Sequence, residues 1–189
     1  MINKIKRFIK KNNIDGYIVP KNDIYFTEYS KINNLVKLTN FSGSAGFALI
    51  LRNKNYLFVD GRYTLQAEKQ SGKKFTICEI PHLFPKDLKE VKDIKIGFDP
   101  SLFTEITLEK YFGNRAKLTP IIYNFKTKDL KVYDKFYQLD EYISGEATIS
   151  KKKKIIKILN KGKINYLYIS SGENLCWLLN IRGKDLPNS

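Results

Sequence analysis

Apolar positions recur along the chain first at helical and then at strand spacing. Ile2, Ile5, Phe8 and Ile9 share one face of a 3.6-residue period, and "DGYIVP" at 15–20 then reads as a buried strand closed by Pro20. "FALIL" and "YLFVD" flank the polar turn Arg52-Asn53-Lys54-Asn55, which predicts an antiparallel hairpin over residues 47–60. From Tyr63 the run "YTLQAEKQ" changes to helix formers and ends at Ser71-Gly72. "KFTICEI" is a further strand, "FPKDLKEV" a short helix with Pro85 in its first turn, and "KIGFD" a strand stopped at Pro100. "TEITLEKYF" predicts a helix terminated by Gly113, and "AKLTPIIY" a last strand.

Periodicity weakens between Asn124 and Thr148, where mixed charges and tyrosines suggest a linker between a first domain, 1–123, and a second segment, 149–189. There Ser150 is placed to cap a helix through "KKKKIIKIL", and "INYLYIS" reads as another buried strand. The two ends are related. Residues 8–19, "FIKKNNIDGYIV", align without gaps on 158–169, "ILNKGKINYLYI", and Asn40-Phe41-Ser42-Gly43 corresponds to Asn180-Ile181-Arg182-Gly183. The second repeat stops at Ser189, before any counterpart of "FALIL" or "FVDGRY". The expectation is therefore an incomplete second domain, lacking at least two strands, in the amino-terminal part of a longer polypeptide.

Charge changes this picture less than its size suggests. A net charge of +15 raises nucleic acid as a partner. The excess is nearly all lysine, however, with arginine only at Arg7, Arg52, Arg62, Arg115 and Arg182, although arginine's planar fork suits base edges and phosphates. The Lys151–Lys154 run is read as a solvated helix face, and nucleic acid is not the expected partner. No apolar stretch approaches the ~20 residues of a membrane span, and the expected location is cytoplasmic. Cys78 and Cys176, far apart and each in an apolar run, read as buried free thiols.

Catalytic patterns fail one by one. "SGSAG" carries Ser42 where a nucleophile elbow needs glycine, so Gly43 and Gly46 read as packing or positive-φ positions. Neither GxxxxGK[ST] nor GxGxxG occurs. His82, the single histidine, is read as a surface-loop residue and Trp177 as core. Asp23, Glu28, Asp60 and Asp99 all fall near strand or loop ends and could converge on a divalent cation, but for Asp60 a cap on the following helix, with Arg62 reaching outward, is preferred. A cation at the positive end of a helix calls for a carboxylate partner, so Arg62 should pair with Asp60 or Glu28, or with an acid across an interface.

Together, "YIVPKNDIYFTEY", "LTNFSGSAGFALIL", "LFVDGRYTLQAEKQ", "IGFDPSLFT" and "NLCWLLNIRGKDLPNS" resemble the amino-terminal half of Xaa-Pro aminopeptidases in the creatinase/prolidase group. The chain departs from that pattern at Tyr25, where the family commonly has histidine, within "KINNLVK", and in a shorter segment after Tyr123. The resemblance implies an α/β fold, a ribonuclease-H-like mixed sheet flanked by helices, followed by the start of a second similar domain. It implies no catalytic, metal-binding or cofactor residue in this chain. Two divalent metal ions, manganese by expectation, belong to a carboxy-terminal catalytic domain. Implied partners are that domain, a second copy in a homodimer, and short proline-containing peptides, with the chain supporting assembly and restricting access to the cleft. On the same resemblance Glu28, Tyr29, Asp60, Arg62, Tyr63 and Arg182 are substrate-rim or interface candidates. The alternatives are a free-standing binding module that lost the enzyme, or a basic nucleic-acid-binding domain.

Overall fold

In the computed structural model, which describes residues 1–27, 33–125 and 135–183, the chain divides into two units, Met1–Lys128 and Asp129–Ser189. The first opens with α1 (Ile2–Lys11). Its Ile5 and Ile9, one turn apart, are fully buried, and Lys10 and Lys11 occupy the last turn, where cations complement the helix dipole. Next come β1 (Gly16–Pro20), α2 (Asn34–Thr39), β2 (Gly46–Leu51), β3 (Asn55–Asp60), α3 (Thr64–Ser71), β4 (Thr76–Ile80), β5 (Lys95–Phe98), α4 (Glu105–Phe112) and β6 (Lys117–Pro120).

These strands form one mixed sheet in the order β4-β3-β2-β1-β5-β6. The pairs β1/β2 and β2/β3 are antiparallel, and β3/β4, β1/β5 and β5/β6 are parallel. Helices flank both faces, which explains why β1 is buried at every position instead of alternating. Tyr17, Val19, Ala48, Ile50, Leu57 and Val59 share one core with Ile5 and Ile9 of α1, Leu35 and Leu38 of α2 and Ala67 of α3. Their neighbours Ile18, Phe47, Leu49 and Phe58 point to the other face, against Leu108 and Phe112 of α4.

The 47–60 hairpin, the α3 and α4 helices and the four other strands of this unit lie where hydrophobic periodicity put them. Two elements differ. "FPKDLKEV" makes two separate 3₁₀ turns, Pro85–Asp87 and Lys89–Val91. Asp87 bonds back to the Phe84 amide at 2.8 Å, and Leu88 is extended (φ −79°, ψ 131°), which stops a continuous helix. Helix α2 has no sequence expectation. It is six residues long and is held by its ends: Asn33 Oδ1 accepts the Val36 amide at 3.0 Å, and Asn40 closes it in the left-handed region at φ 65°.

The second unit contains β7 (Tyr137–Gln138), α5 (Glu141–Ser144), α6 (Thr148–Lys161), α7 (Gly172–Leu179) and β8 (Ile181–Arg182), which pairs antiparallel with β7. Thus β7 and α5 fall inside the 124–148 stretch expected to be a linker. Helix α6 starts after Ala147, with Ser150 inside it and not at its cap. Lys151, expected on a solvated face, is only 3% exposed: Nζ donates to the Trp177 carbonyl at 2.8 Å and to Asn180 Oδ1 at 2.6 Å, and lies 4.5 Å from the Trp177 ring centroid.

"INYLYIS" is the clearest departure. No strand is assigned there, and Tyr166 and Tyr168 are each 90% exposed. A strand is made by its neighbours: β1, its counterpart in the repeat, bonds to β2 and β5, whereas among the described residues no backbone hydrogen bond joins 165–170 to another strand. Trp177, expected in a core, is 53% exposed. Cys78 is buried but Cys176 only partly so, and both are free thiols. No helix among the described residues is long and apolar enough to cross a membrane.

Candidate functional site

Strand β3 ends at Asp60, and three residues must turn the chain into α3. Gly61–Tyr63 form a single 3₁₀ turn capped by Asp60, whose Oδ1 accepts the Arg62 amide at 3.0 Å. The Arg62 side chain closes the same ring, donating from Nε to Oδ1 at 2.8 Å and from Nη2 to Oδ2 at 3.4 Å. These bonds, side chain first and backbone second, hold the Asp60 carboxyl below the usual carboxylate range. The pair stands at the surface, with the two side chains 37% and 75% exposed.

Tyr63 links this pair to the glycine-serine loop. The Arg62 guanidinium lies 5.5 Å from its ring centroid, its ring packs edge-on against Phe41 at 5.9 Å, and its hydroxyl lies 2.8 Å from Ser44 Oγ. Ser42 is tied to α3 as well. Its amide donates to Gln70 Oε1 at 2.8 Å, and its hydroxyl accepts from Gln66 at 3.1 Å and Gln70 at 3.0 Å. Gly46 explains the loop's small residues: at φ 153°, a Cβ there would come within 2.7 Å of the Phe58 carbonyl oxygen. The loop therefore supports the turn. Its serines bond to a phenol and to carboxamides, a pattern with no general base for nucleophilic attack.

Two of the other candidate carboxylates, Asp23 and Asp99, serve local turns. Asp23 accepts the Tyr25 and Thr27 amides and the Thr27 hydroxyl, each at 2.9 Å. Asp99 accepts the Ser101 amide at 2.9 Å and its hydroxyl at 2.7 Å. Among the described residues, no three His, Cys, Asp or Glu side chains come together to hold a metal ion. His82 is an exposed loop residue, 3.5 Å from Glu79.

Of the six rim candidates, Asp60, Arg62 and Tyr63 are brought together. Arg182 lies in β8 of the second unit, its Nη1 bonded to the Ile181 carbonyl at 2.9 Å. Glu28 and Tyr29 lie outside the described residues. Sequence reasoning missed the bracing of Ser42 by Gln66 and Gln70, although their i, i+4 spacing on one predicted helix face was the available signal.

Comparison with known proteins gives this geometry its family. The Creatinase/Prolidase N-terminal domain family matches residues 1–123, and a second family of the same description matches 128–189. A probable Xaa-Pro aminopeptidase P of Coprinopsis cinerea is 30% identical over 96% of this chain and 32% of its own length. Xaa-Pro aminopeptidase 1 of Dictyostelium discoideum is 25% identical over 98% of this chain and 34% of its own. The chain thus spans about a third of the length of these relatives. Among solved structures, the X-prolyl aminopeptidase of Caenorhabditis elegans, described as a cytosolic enzyme with a di-nuclear active site, superposes with a TM-score of 0.73 at 25% identity, over 92% of this chain and 31% of that one. The N-terminal domain of a cytoplasmic peptidase from Mycobacterium tuberculosis, 22% identical over 64% of this chain and 91% of its own, shares the fold at a TM-score of 0.50. With more than half of its length matched, the chain belongs to the creatinase/prolidase N-terminal domain family.

Proposed function

We propose that this chain is the non-catalytic amino-terminal region of an Xaa-Pro aminopeptidase-like metallopeptidase. Residues 1–123 are its first domain, 149–189 open a second of the same type, and 124–148 connect them. One observation carries the reading: two matches to creatinase/prolidase N-terminal domains occupy nearly the whole chain, while the chain spans only about a third of relatives named as Xaa-Pro aminopeptidases. Release of the residue preceding proline then belongs to a carboxy-terminal domain, which would hold two divalent ions, manganese on this reading, whose chemistry would be to supply an activated water. The carboxylates described here do not fit such a pair, since Asp23, Asp60 and Asp99 each cap a separate turn. No step of hydrolysis is assigned to them.

The chain's own task is to support a homodimer and to narrow the approach to the catalytic cleft, limiting it to short peptides in the cytoplasm. Asp60, Arg62 and Tyr63 suit a rim because they are polar and accessible while the turn that carries them is fixed by the Asp60 cap and the Ser44 bond. Glu28, Tyr29 and Arg182 are proposed as substrate-rim or interface residues on the family resemblance alone. A peptide with proline in second position offers no amide donor at that bond, so selection depends on the shape of the approach and on contacts elsewhere on the peptide.

Hydrolysis of an Xaa-Pro peptide in the presence of manganese tests the proposal. The purified 189-residue chain is expected to leave the peptide intact, and a protein translated through any sequence continuing past Ser189 to cleave it. Turnover by the 189-residue chain itself overturns the scaffold reading. A reading frame that ends at Ser189 favours a free-standing binding module.

A further inference from the structure

At the end of β3 opposite Asp60, the first unit carries a cavity of about 720 Å³. Its wall includes Lys6 of α1, Lys37 of α2, and Lys73 and Lys74 between α3 and β4, and among the described residues no acidic side chain lines it. Lys54, also in the wall, is already paired with Glu90. The first turn of α1 forms another part of the wall, and it has neither an acidic residue nor a side-chain cap for its amides. Asn55 also lines it, and its Nδ2 donates to the Lys74 carbonyl at 2.9 Å, which ties the turn carrying Lys73 and Lys74 to β3.

We propose that this cavity binds a small polyphosphorylated anion, taken up by Lys6, Lys37, Lys73 and Lys74 with the first turn of α1. Lysines from three separate parts of the chain line one concavity of small-ligand size, so an anion entering it meets several ammonium groups at once, and the uncapped positive end of α1 adds to the same field. Several negative charges are needed to match several ammonium groups, which favours a phosphate chain over orthophosphate. The site is independent of peptidase chemistry and of the Asp60–Arg62 turn.

Calorimetric titration of the 189-residue chain with tripolyphosphate and with ATP, at near-physiological ionic strength, tests it. Saturable one-to-one binding is expected for either probe, with orthophosphate at least ten-fold weaker. Equal binding of the two probes assigns recognition to the phosphate chain alone, and tighter binding of ATP adds a contact to its nucleoside; both support the site. The double variant Lys37→Glu/Lys73→Glu should weaken binding ten-fold or more, whereas Lys152→Glu/Lys153→Glu, which makes the same charge change on the exposed face of α6, should leave it within two-fold. Should the first variant lose its circular dichroism, Lys37→Gln/Lys73→Gln replaces it with the same expectation. Equal weakening by both double variants, or the absence of a saturable site, overturns the proposal and reduces the effect to the chain's overall charge.

Discussion

The hydroxyl of Tyr17 donates to the Ile121 carbonyl at 3.0 Å and accepts the Tyr123 amide at 3.0 Å, so a side chain from β1 clasps the chain just beyond β6. The ring is 1% exposed and packs edge-on against Phe8 and Tyr123. Tyr17→Phe keeps the ring but strands a buried donor and acceptor, and should destabilise the first unit by about 1–3 kcal/mol in urea unfolding.

Burial also raises the pKa of the Tyr17 phenol well above its ordinary value. The sign follows: the folded state keeps this proton more tightly than the unfolded chain, so the contribution is complete below the unfolded value of about 10 and declines as pH rises past it. Wild-type stability should therefore fall above pH ~10, and Tyr17→Phe should flatten part of that decline when unfolding is followed across alkaline pH.

Glu90 gives the opposite dependence. Its bond from Lys54 comes first among the causes, with the Tyr56 hydroxyl assisting at 3.1 Å, and they hold the carboxyl at about 2 against an ordinary 4.5. A lowered carboxylate stabilises the fold above its unfolded value and loses that contribution as pH falls from about 4.5 toward 2. The group is largely exposed, so the effect is small and screened by salt. Glu90→Gln should reduce the acid sensitivity of the unfolding midpoint at low ionic strength.

Lys151 is the feature of the second unit most open to test, because Trp177, its ring neighbour, is the only tryptophan of the chain. Lys151→Met preserves the aliphatic stem and removes the bonds to the Trp177 carbonyl and to Asn180. The loss should be about 1–3 kcal/mol, seen as an earlier transition in tryptophan fluorescence and a shifted emission maximum of the folded protein. Circular dichroism of the sheet should change little.

Gly46→Ala should cost about 1–3 kcal/mol, because the backbone at φ 153° and the Phe58 carbonyl both oppose a side chain. Arg62→Ala should move the melting temperature less than either Tyr17→Phe or Gly46→Ala, since its pair with Asp60 is solvated. Its effect should emerge in assembly or peptide hydrolysis by the longer protein, and unchanged kinetics there would give Arg62 a structural role alone.

The sequence was legible where a segment's own residues determine its structure. The 52–55 turn, Gly72 and Gly113 as stops and Asp60 as a cap are local devices, and each acts within a few residues of its position. It was illegible where partners decide. Helix α2 is too short for periodicity to register, and two asparagines at its ends do what an apolar stripe does elsewhere. The apolar composition of "INYLYIS" matches β1, yet composition cannot supply neighbouring strands. Lys151 differs from Lys152 and Lys153 only in facing α7, a distinction absent from a run of four lysines. Of the candidate site, only the local turn at Asp60–Tyr63 was legible, where a carboxylate, a glycine and a cation adjoin; the ties from Ser42 and Ser44 depend on residues nineteen to twenty-eight positions away.

The strand order β4-β3-β2-β1-β5-β6 also sets a sequence of events during synthesis. The first four strands lie side by side in chain order, so they can associate as soon as Ile80 has left the ribosome. One side of β1 must then wait for Lys95–Phe98 to arrive in parallel register. In that interval the nascent chain carries an open strand, apolar on both faces, at what will become the middle of the sheet. A pause in translation after Ile80 has emerged from the ribosome and before Phe98 has done so should thus be where this protein is most exposed to misassociation and most dependent on a chaperone.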